Sequence, residues 1–242
     1  MRLNDVAFRY HRRSSWVLRN VTLSFPPGGV TEVTGRNGAG KSTLLRLLAG
    51  IRRPLRGTIE GRPARVGYAP ERFPADQPFT VGGYLSHMAA MRGVPDTAIT
   101  TWAERLAFGD LLPVRLPDLS KGSAQKVGLA QALIADPALL ILDEPFAGLD
   151  RTTRADLPAL LAELAAHGTT VVVSDHQRCL EALPHTNRLH VADASVTPHP
   201  GNGPSPWTVL EVIVPAAEAA AAATDLRAAG YRVQRRRADH DT

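Results

Sequence analysis

A single cysteine, Cys179, in 242 residues excludes an intrachain disulfide and a cysteine-rich metal cluster, and it fits a reducing compartment. No stretch reaches the about 18 nearly uncharged apolar residues that a membrane-spanning helix needs. The opening Met1-Arg2-Leu3-Asn4-Asp5 has no apolar run behind it, so neither a span nor a leader is expected and the cytoplasm is the expected compartment. Internal repeats and long coiled-coil insertions are also absent. Charge is not one-sided: 28 Lys and Arg face 23 Asp and Glu, and the net +5 implies only a weak attraction to anionic surfaces. What is present suits a globular chain. With 44% apolar residues the sequence can bury a substantial core, in one main domain with room for a small appendage.

Apolar patterning predicts strands at Leu3 to Phe8, Leu18 to Phe25 and Val30 to Thr34, with Pro26-Pro27-Gly28-Gly29 as a turn before the third. Leucines at 44, 45, 47 and 48 give Lys41 to Ala49 one apolar helical face, and Gly50 stops it. Short strands are predicted at Gly57 to Glu60 and Arg65 to Tyr68, then a proline-bearing loop from Ala69 to Pro78. Helices follow at Tyr84 to Met91 and Ala98 to Phe108. Ser123 to Ala135 and Arg151 to Ala166 carry helical spacing, whereas Ala138 to Leu142 and Thr169 to Val173 are the near-continuous apolar runs of buried parallel strands. Helices alternating with such strands make an α/β fold with a mostly parallel core sheet, preceded by N-terminal antiparallel strands and interrupted by a small helical subdomain. Arg188 to Val196 is expected to form one or two terminal strands. Thr197 to Pro206 reads as a linker, before a strand at Val209 to Val214, an alanine-rich helix at Ala216 to Ala229 and a strand at Tyr231 to Val233.

The run Gly35-Arg36-Asn37-Gly38-Ala39-Gly40-Lys41-Ser42-Thr43 has the full spacing of a P-loop, between a predicted strand and an amphipathic helix. Glycines let backbone N–H groups wrap a β-phosphate, and the positive end of the helix faces the anion. Lys41 reaches β and γ oxygens, and the Ser42 hydroxyl can bind Mg²⁺. Asp143-Glu144-Pro145 sets two carboxylates immediately after a buried strand, where adjacent strands can bring them beneath that loop. Asp143 is the residue to organise Mg²⁺, and Glu144 is placed to polarise or deprotonate water.

These segments, with Leu119-Ser120-Lys121-Gly122-Ser123, Ala147-Gly148-Leu149-Asp150 and Ser174-Asp175-His176, resemble in order and spacing the nucleotide-binding subunit of an ABC transporter, a P-loop NTPase, over residues 1–197. The resemblance implies an ATPase using ATP and Mg²⁺, active as a dimer in which Ser120 and Gly122 of one subunit meet the γ-phosphate held by Lys41 of the other. It assigns His176 to the γ-phosphate, Asp150 to communication across the dimer, and Tyr10 to stacking on adenine, with Trp16 an alternative. A helical insert at about 79–119 would dock a coupling helix of a separate transmembrane permease subunit. A linker at 198–206 would lead to a small β-α-β-like extension at 207–242. The expected location is peripheral, on the cytoplasmic face of a bacterial cell membrane.

Three departures accompany the resemblance. Lys121 and Ser123 stand where the family's commonest signature has glycine and glutamine, and Ala192-Asp193-Ala194 replaces a terminal Asp-Gly turn. Glu71 stands where a glutamine usually approaches Mg²⁺ and the permease; it can still approach the ion but has no amide to donate. Leu-Ser-Lys-Gly together with Tyr68-Ala69-Pro70-Glu71 resembles bacterial exporter ATPases. Two alternatives carry features of their own. One is a non-transport ATPase touching nucleic acid or the ribosome through Arg235-Arg236-Arg237, although specific nucleic-acid binding is not expected. The other is a low-turnover regulatory subunit, suggested by Glu71 and Ser123 and opposed by Glu144 and His176.

Overall fold

A computed structural model describes residues 1–199 and 219–228. The chain divides into two compact units, Met1–Ser205 and Pro206–Thr242. The strands expected at Val209 to Val214 and Tyr231 to Val233, and Arg235-Arg236-Arg237, lie outside the described residues. Of the second unit only helix α6, Ala219–Ala228, is described; it falls within the alanine-rich stretch expected to be helical.

In the first unit, β1 (Arg2–Phe8) pairs antiparallel with β2 (Leu18–Ser24) and with β4 (Arg56–Glu60) in a three-stranded sheet of order β2-β1-β4. The second sheet contains β3 (Val30–Thr34), β5 (Val66–Ala69), β6 (Leu139–Asp143), β7 (Thr170–Ser174), β8 (Asn187–Ala192) and β9 (Ser195–His199), in the order β5-β6-β7-β3-β8-β9. All its neighbours run parallel except the β8-β9 hairpin.

The apolar runs are buried because both faces of this sheet are covered. Strand periodicity sends Leu139 and Ile141 to one face, against Leu44, Leu45, Leu47 and Leu48 of α1 (Lys41–Leu48) and the small sheet. Leu140 and Leu142 go to the other, against α4 (Lys121–Leu133) and α5 (Arg151–Ala166). The four α1 leucines are 0% exposed, and each fully buried leucine contributes about 1.5–3 kcal/mol. Glu32 is the charged exception in central strand β3. It is 2% exposed and accepts a hydrogen bond from Arg188 Nε of β8 at 2.6 Å, so the charge is paired where it is buried.

Several boundaries differ from the sequence expectation for identifiable reasons. Helix α2 spans Val81–Met91 and starts ahead of Tyr84, because Thr80 Oγ1 accepts from Gly83 N at 3.1 Å and carries the helix through Gly82-Gly83. Helix α3 is Thr97–Arg105 and stops short of Phe108, because Ala107 takes φ +50° and Phe108 N turns back to Ala103 O. Two short 3₁₀ turns follow, and the base of this insert is closed by Leu116 N donating to Phe79 O and Val81 N to Val114 O, both at 2.9 Å. Helix α4 begins at Lys121 rather than Ser123 because Ser120 is its N-cap. The first residues of the expected linker, Thr197 to His199, belong instead to β9, an edge strand on which Pro198 costs no interior ladder bond. The β8-β9 turn places Asp193 and Ala194 at φ +49° and +59°, left-handed conformations that a glycine would adopt without the strain borne by Ala194.

Candidate active site

The parallel register brings three strand ends to one edge. Val33 of β3 and Asp143 of β6 both lie opposite Ser174 of β7, so the loop after β3, the acidic pair after β6 and the histidine turn after β7 emerge together. This is the carboxyl edge where open α/β sheets bind ligands.

Gly35 opens the loop with φ +142°, and a Cβ there would sit 2.4 Å from Val191 O, so only glycine lets the chain turn into the loop at this point. The turn delivers Lys41 to the first position of α1. Lys41 is 7% exposed; its Nζ donates to Gly35 O at 3.0 Å and Arg36 O at 3.4 Å, and lies 4.0 Å from Glu144 Oε1. The ammonium is thus held across the mouth of a loop backed by a helix N-terminus, an arrangement suited to a polyphosphate.

Asp143 Oδ1 accepts from Ser42 Oγ at 3.1 Å and from Ser174 Oγ at 2.8 Å, while Oδ2 is buried without a hydrogen-bond partner. A buried carboxylate oxygen left unsatisfied beside a serine hydroxyl is a donor set suited to a hard divalent cation. No group of three or more His, Cys, Asp or Glu suited to a metal ion occurs among the described residues. Mg²⁺ takes one or two protein ligands and fills its remaining positions with phosphate and water, so a hydroxyl and a carboxylate suffice. These residues therefore fit Mg²⁺, with Ser42 and Asp143 as its protein side.

Glu144 is 9% exposed and sits at φ +53°, a strained left-handed conformation for a non-glycine residue. Its N–H is fixed by Ser174, donating to Oγ at 2.9 Å and to the carbonyl at 3.2 Å. Its Oε2 accepts from the backbone N–H of His176 at 3.3 Å and makes a close contact with His176 Nδ1. Tyr10, 44% exposed, places its hydroxyl 2.9 Å from Thr43 Oγ1. The alternative aromatic, Trp16, has the Arg9 guanidinium 4.6 Å from its ring centroid and that of Arg56 at 5.4 Å. Of the two, Tyr10 is the one tied to the loop.

Ser120, Gly122 and Asp150 form a second group at the starts of α4 and α5. Ser120 Oγ accepts from Ser123 N at 3.1 Å, and a Cβ on Gly122 would lie 2.4 Å from Gly148 O, so the two turns are in backbone contact. Asp150 caps α5, accepting from Thr153 N at 2.9 Å and Thr153 Oγ1 at 2.8 Å, and pairs with Lys126 Nζ at 2.8 Å. The Lys126 ammonium, then the Thr153 amide, holds the Asp150 carboxyl far below the ordinary carboxylate range. Glu71 is exposed; the Ala69↔Leu142 pairing puts it just past the edge where Asp143 ends β6.

Two participants carry roles that the sequence did not assign. Ser174 joins Asp143 to Glu144, and Lys126 joins Asp150 to the insert by donating to Ala107 O at 3.1 Å. The local signals for the first were its place in Ser174-Asp175-His176 and at the end of the Thr169 to Val173 run; the second depends on tertiary contact. Replacing Asp150 by alanine is expected to cost about 1 kcal/mol, chiefly the lost cap, because the half-exposed ion pair is screened. Since the folded pKa is depressed, wild type should hold this advantage above about pH 4 and lose it as pH falls through the folded value. Urea unfolding of the two proteins at pH 7 measures the cap, and a series of steps from about pH 5 downward should show the difference shrinking progressively.

The ABC transporter family profile matches residues 18–147, more than half of the chain. The zinc import ATP-binding protein ZnuC of Pseudomonas syringae pv. syringae (strain B728a) is 35% identical over 178 residues, covering 73% of this chain and 67% of that protein. The aliphatic sulfonates import ATP-binding protein SsuB of Mycobacterium avium (strain 104) is 38% identical over 188 residues, covering 71% and 72%. The chain spans about two thirds of the length of the ZnuC relatives it matches. A solved structure of the ATP-binding subunit of an ABC transporter superposes with TM-score 0.72 at 26% identity, covering 81% of this chain and 87% of that one. The relatives are importer proteins by name, so the narrower resemblance to exporter subunits finds no support among them. The chain belongs to the ABC transporter family, as an ATPase that uses ATP with Mg²⁺.

Proposed function

We propose that two copies of this chain close on MgATP and that hydrolysis drives transport through a separate membrane-spanning partner. The observation that carries the reading is the convergence of Lys41, Ser42, Asp143, Glu144 and His176 on one sheet edge. Glu144, oriented by His176 and by the Ser174 contacts to its amide, takes the proton of the attacking water. Lys41 and the N-terminus of α1 meet the phosphate charge. With Nδ1 on Glu144, Nε2 is the ring nitrogen of His176 left for a γ-phosphate oxygen, and it donates there when the ring carries both protons. Ser42 and Asp143 would hold Mg²⁺, which would supply positive charge against the phosphate.

The family resemblance supports dimerisation. Ser120 and Gly122 make no hydrogen bond to the Lys41 cluster of their own chain among the described residues, in keeping with a phosphate-binding role toward the loop of another copy. Two solved structures of this fold, at 22% and 20% identity, are described as dimeric, the second with bound ADP and phosphate.

No helix among the described residues is long and apolar enough to cross a membrane, which fits a peripheral subunit at the cytoplasmic face. The insert presents Phe79 and Met91, 42% and 70% exposed, to a permease coupling helix. Export is the direction supported by Leu-Ser-Lys-Gly and Glu71; import is the second reading, favoured by the relatives' names. Tagged chain isolated from membrane extracts is expected to bring a polytopic membrane protein in fixed ratio, with ATP hydrolysis in the complex. Reproducible absence of such a partner overturns the transport reading, and the sidedness of ATP-driven flux in reconstituted vesicles decides the direction.

A further inference from the structure

Between the end of β7 at Ser174 and the start of β8 at Asn187 no helix or strand forms, so the conformation of the turn bearing His176 must come from side-chain anchors. Asp175 supplies them. It is 3% exposed, its Oδ1 accepts from Gln177 N at 2.7 Å, and its Oδ2 accepts from Cys179 N at 2.6 Å. Both acceptors of one buried carboxylate are thus spent on amides of the residues just beyond His176. Arg178, enclosed between those two amides, is driven to φ +59°, and Leu180 at 0% exposure pins the far side of the turn in the core. His176 is the residue straddled by this clamp, and both its backbone N–H and its Nδ1 meet Glu144 Oε2.

We propose that Asp175 is a positioning residue for ATP hydrolysis: by folding the 175–179 backbone around its carboxylate it holds the His176 amide and ring on Glu144. The inference rests on the roles proposed above for Glu144 and His176. A neutral hydroxyl or amide could close one side of the clamp. The carboxylate closes both, with charge-assisted bonds about twice as strong as neutral ones. No direct contact between Asp175 and nucleotide is required, because the effect passes through the backbone that carries the histidine.

The test measures steady-state MgATP hydrolysis by the purified full chain for wild type, Asp175→Ala, Asp175→Asn and Glu144→Gln, with thermal unfolding of each. Alanine should lower kcat about 10- to 100-fold, the scale of a small misplacement at a reacting centre, while KM for ATP stays within about twofold. Asparagine keeps an acceptor for Gln177 N–H and should recover most of the loss, to within about 3-fold of wild type. If the alanine variant does not fold, the asparagine variant carries the test: a kcat lowered by up to about 3-fold at unchanged KM supports the proposal, and wild-type kcat overturns it. Wild-type kcat in both variants overturns the proposal. So does an equal fall in both variants with KM and melting temperature moving together, since that is general destabilisation. The glutamine variant separates the two levels. If Glu144→Gln keeps wild-type turnover, the underlying catalytic reading has failed; if it is inactive while Asp175→Ala is normal, only the positioning role has.

Discussion

Glu144→Gln is expected to lower kcat for ATP hydrolysis about 100- to 10,000-fold, the range that general-base catalysis contributes. Nucleotide affinity should stay unchanged or tighten. The substitution is nearly isosteric, and the amide oxygen still accepts from the His176 N–H, so the turn after β7 keeps its anchor on this side chain. What is lost is a group able to take a proton from water. Binding is spared for an electrostatic reason: Asp143 and Glu144 are 1% and 9% exposed, and a buried Glu144 carboxylate repels the polyphosphate that Lys41, the helix terminus and Mg²⁺ attract. Removing one negative charge relieves that repulsion. Phosphate release under steady state and calorimetric titration with MgATP measure the two quantities on one preparation. Wild-type turnover in the variant would remove Glu144 from its assigned role.

The parts of this site that were legible in the sequence are those encoded by local spacing. The loop from Gly35 to Thr43 announces itself because backbone geometry, helix start and lysine must follow one another at fixed intervals. The apolar runs at Ala138 to Leu142 and Thr169 to Val173 announce buried strands because a sheet covered on both faces tolerates no alternation, and the strands they form, Leu139–Asp143 and Thr170–Ser174, are buried along their length. The parts that were not legible are pairings between distant residues. Ser174 reaches Asp143 across a strand register, Arg188 reaches Glu32 across another, and Arg62 donates to Leu47 O and Leu48 O at 2.9 Å to cap the end of α1, where the sequence offered only Gly50 as a stop. None of these has a local signature, because a serine or arginine at the edge of an element is equally well solvated when unpaired.

The signature segment shows the same limit from the other side. Ser120 and Gly122 read as compact phosphate donors, but within the chain Ser120 is a helix cap and Gly122 is the only residue that fits beneath Gly148 O. Both uses demand the same residue types, so spacing alone could not separate them. Ser123, the shortened residue of the variant signature, lies 2.9 Å from Ser120 through the two hydroxyls. A serine at this position is therefore accommodated by the cap itself, in keeping with an active enzyme.

Lys41→Ala should weaken MgATP binding about 10- to 100-fold and reduce hydrolysis with it, the loss expected when a charge-assisted bond to phosphate is removed. The two-residue geometry makes this distinct from the Glu144 variant. Lys41 Nζ is parked on the carbonyls of Gly35 and Arg36 and is 4.0 Å from Glu144 Oε1, so it is the counter-charge for both the loop and the carboxylate. Alanine leaves those carbonyls without their donor and removes the lysine counter-charge from Glu144, so a phosphate enters against more negative charge. Arginine should not restore function, because the planar guanidinium cannot occupy the compact position of an ammonium, 93% buried, on two loop carbonyls. Binding and turnover should thus fall together in Lys41→Ala and separate in Glu144→Gln. Titration of both variants with MgATP, in the same buffer because phosphate contacts are salt-dependent, distinguishes them. An unchanged affinity in Lys41→Ala would mean that the polyphosphate does not lie in the loop that Gly35 opens.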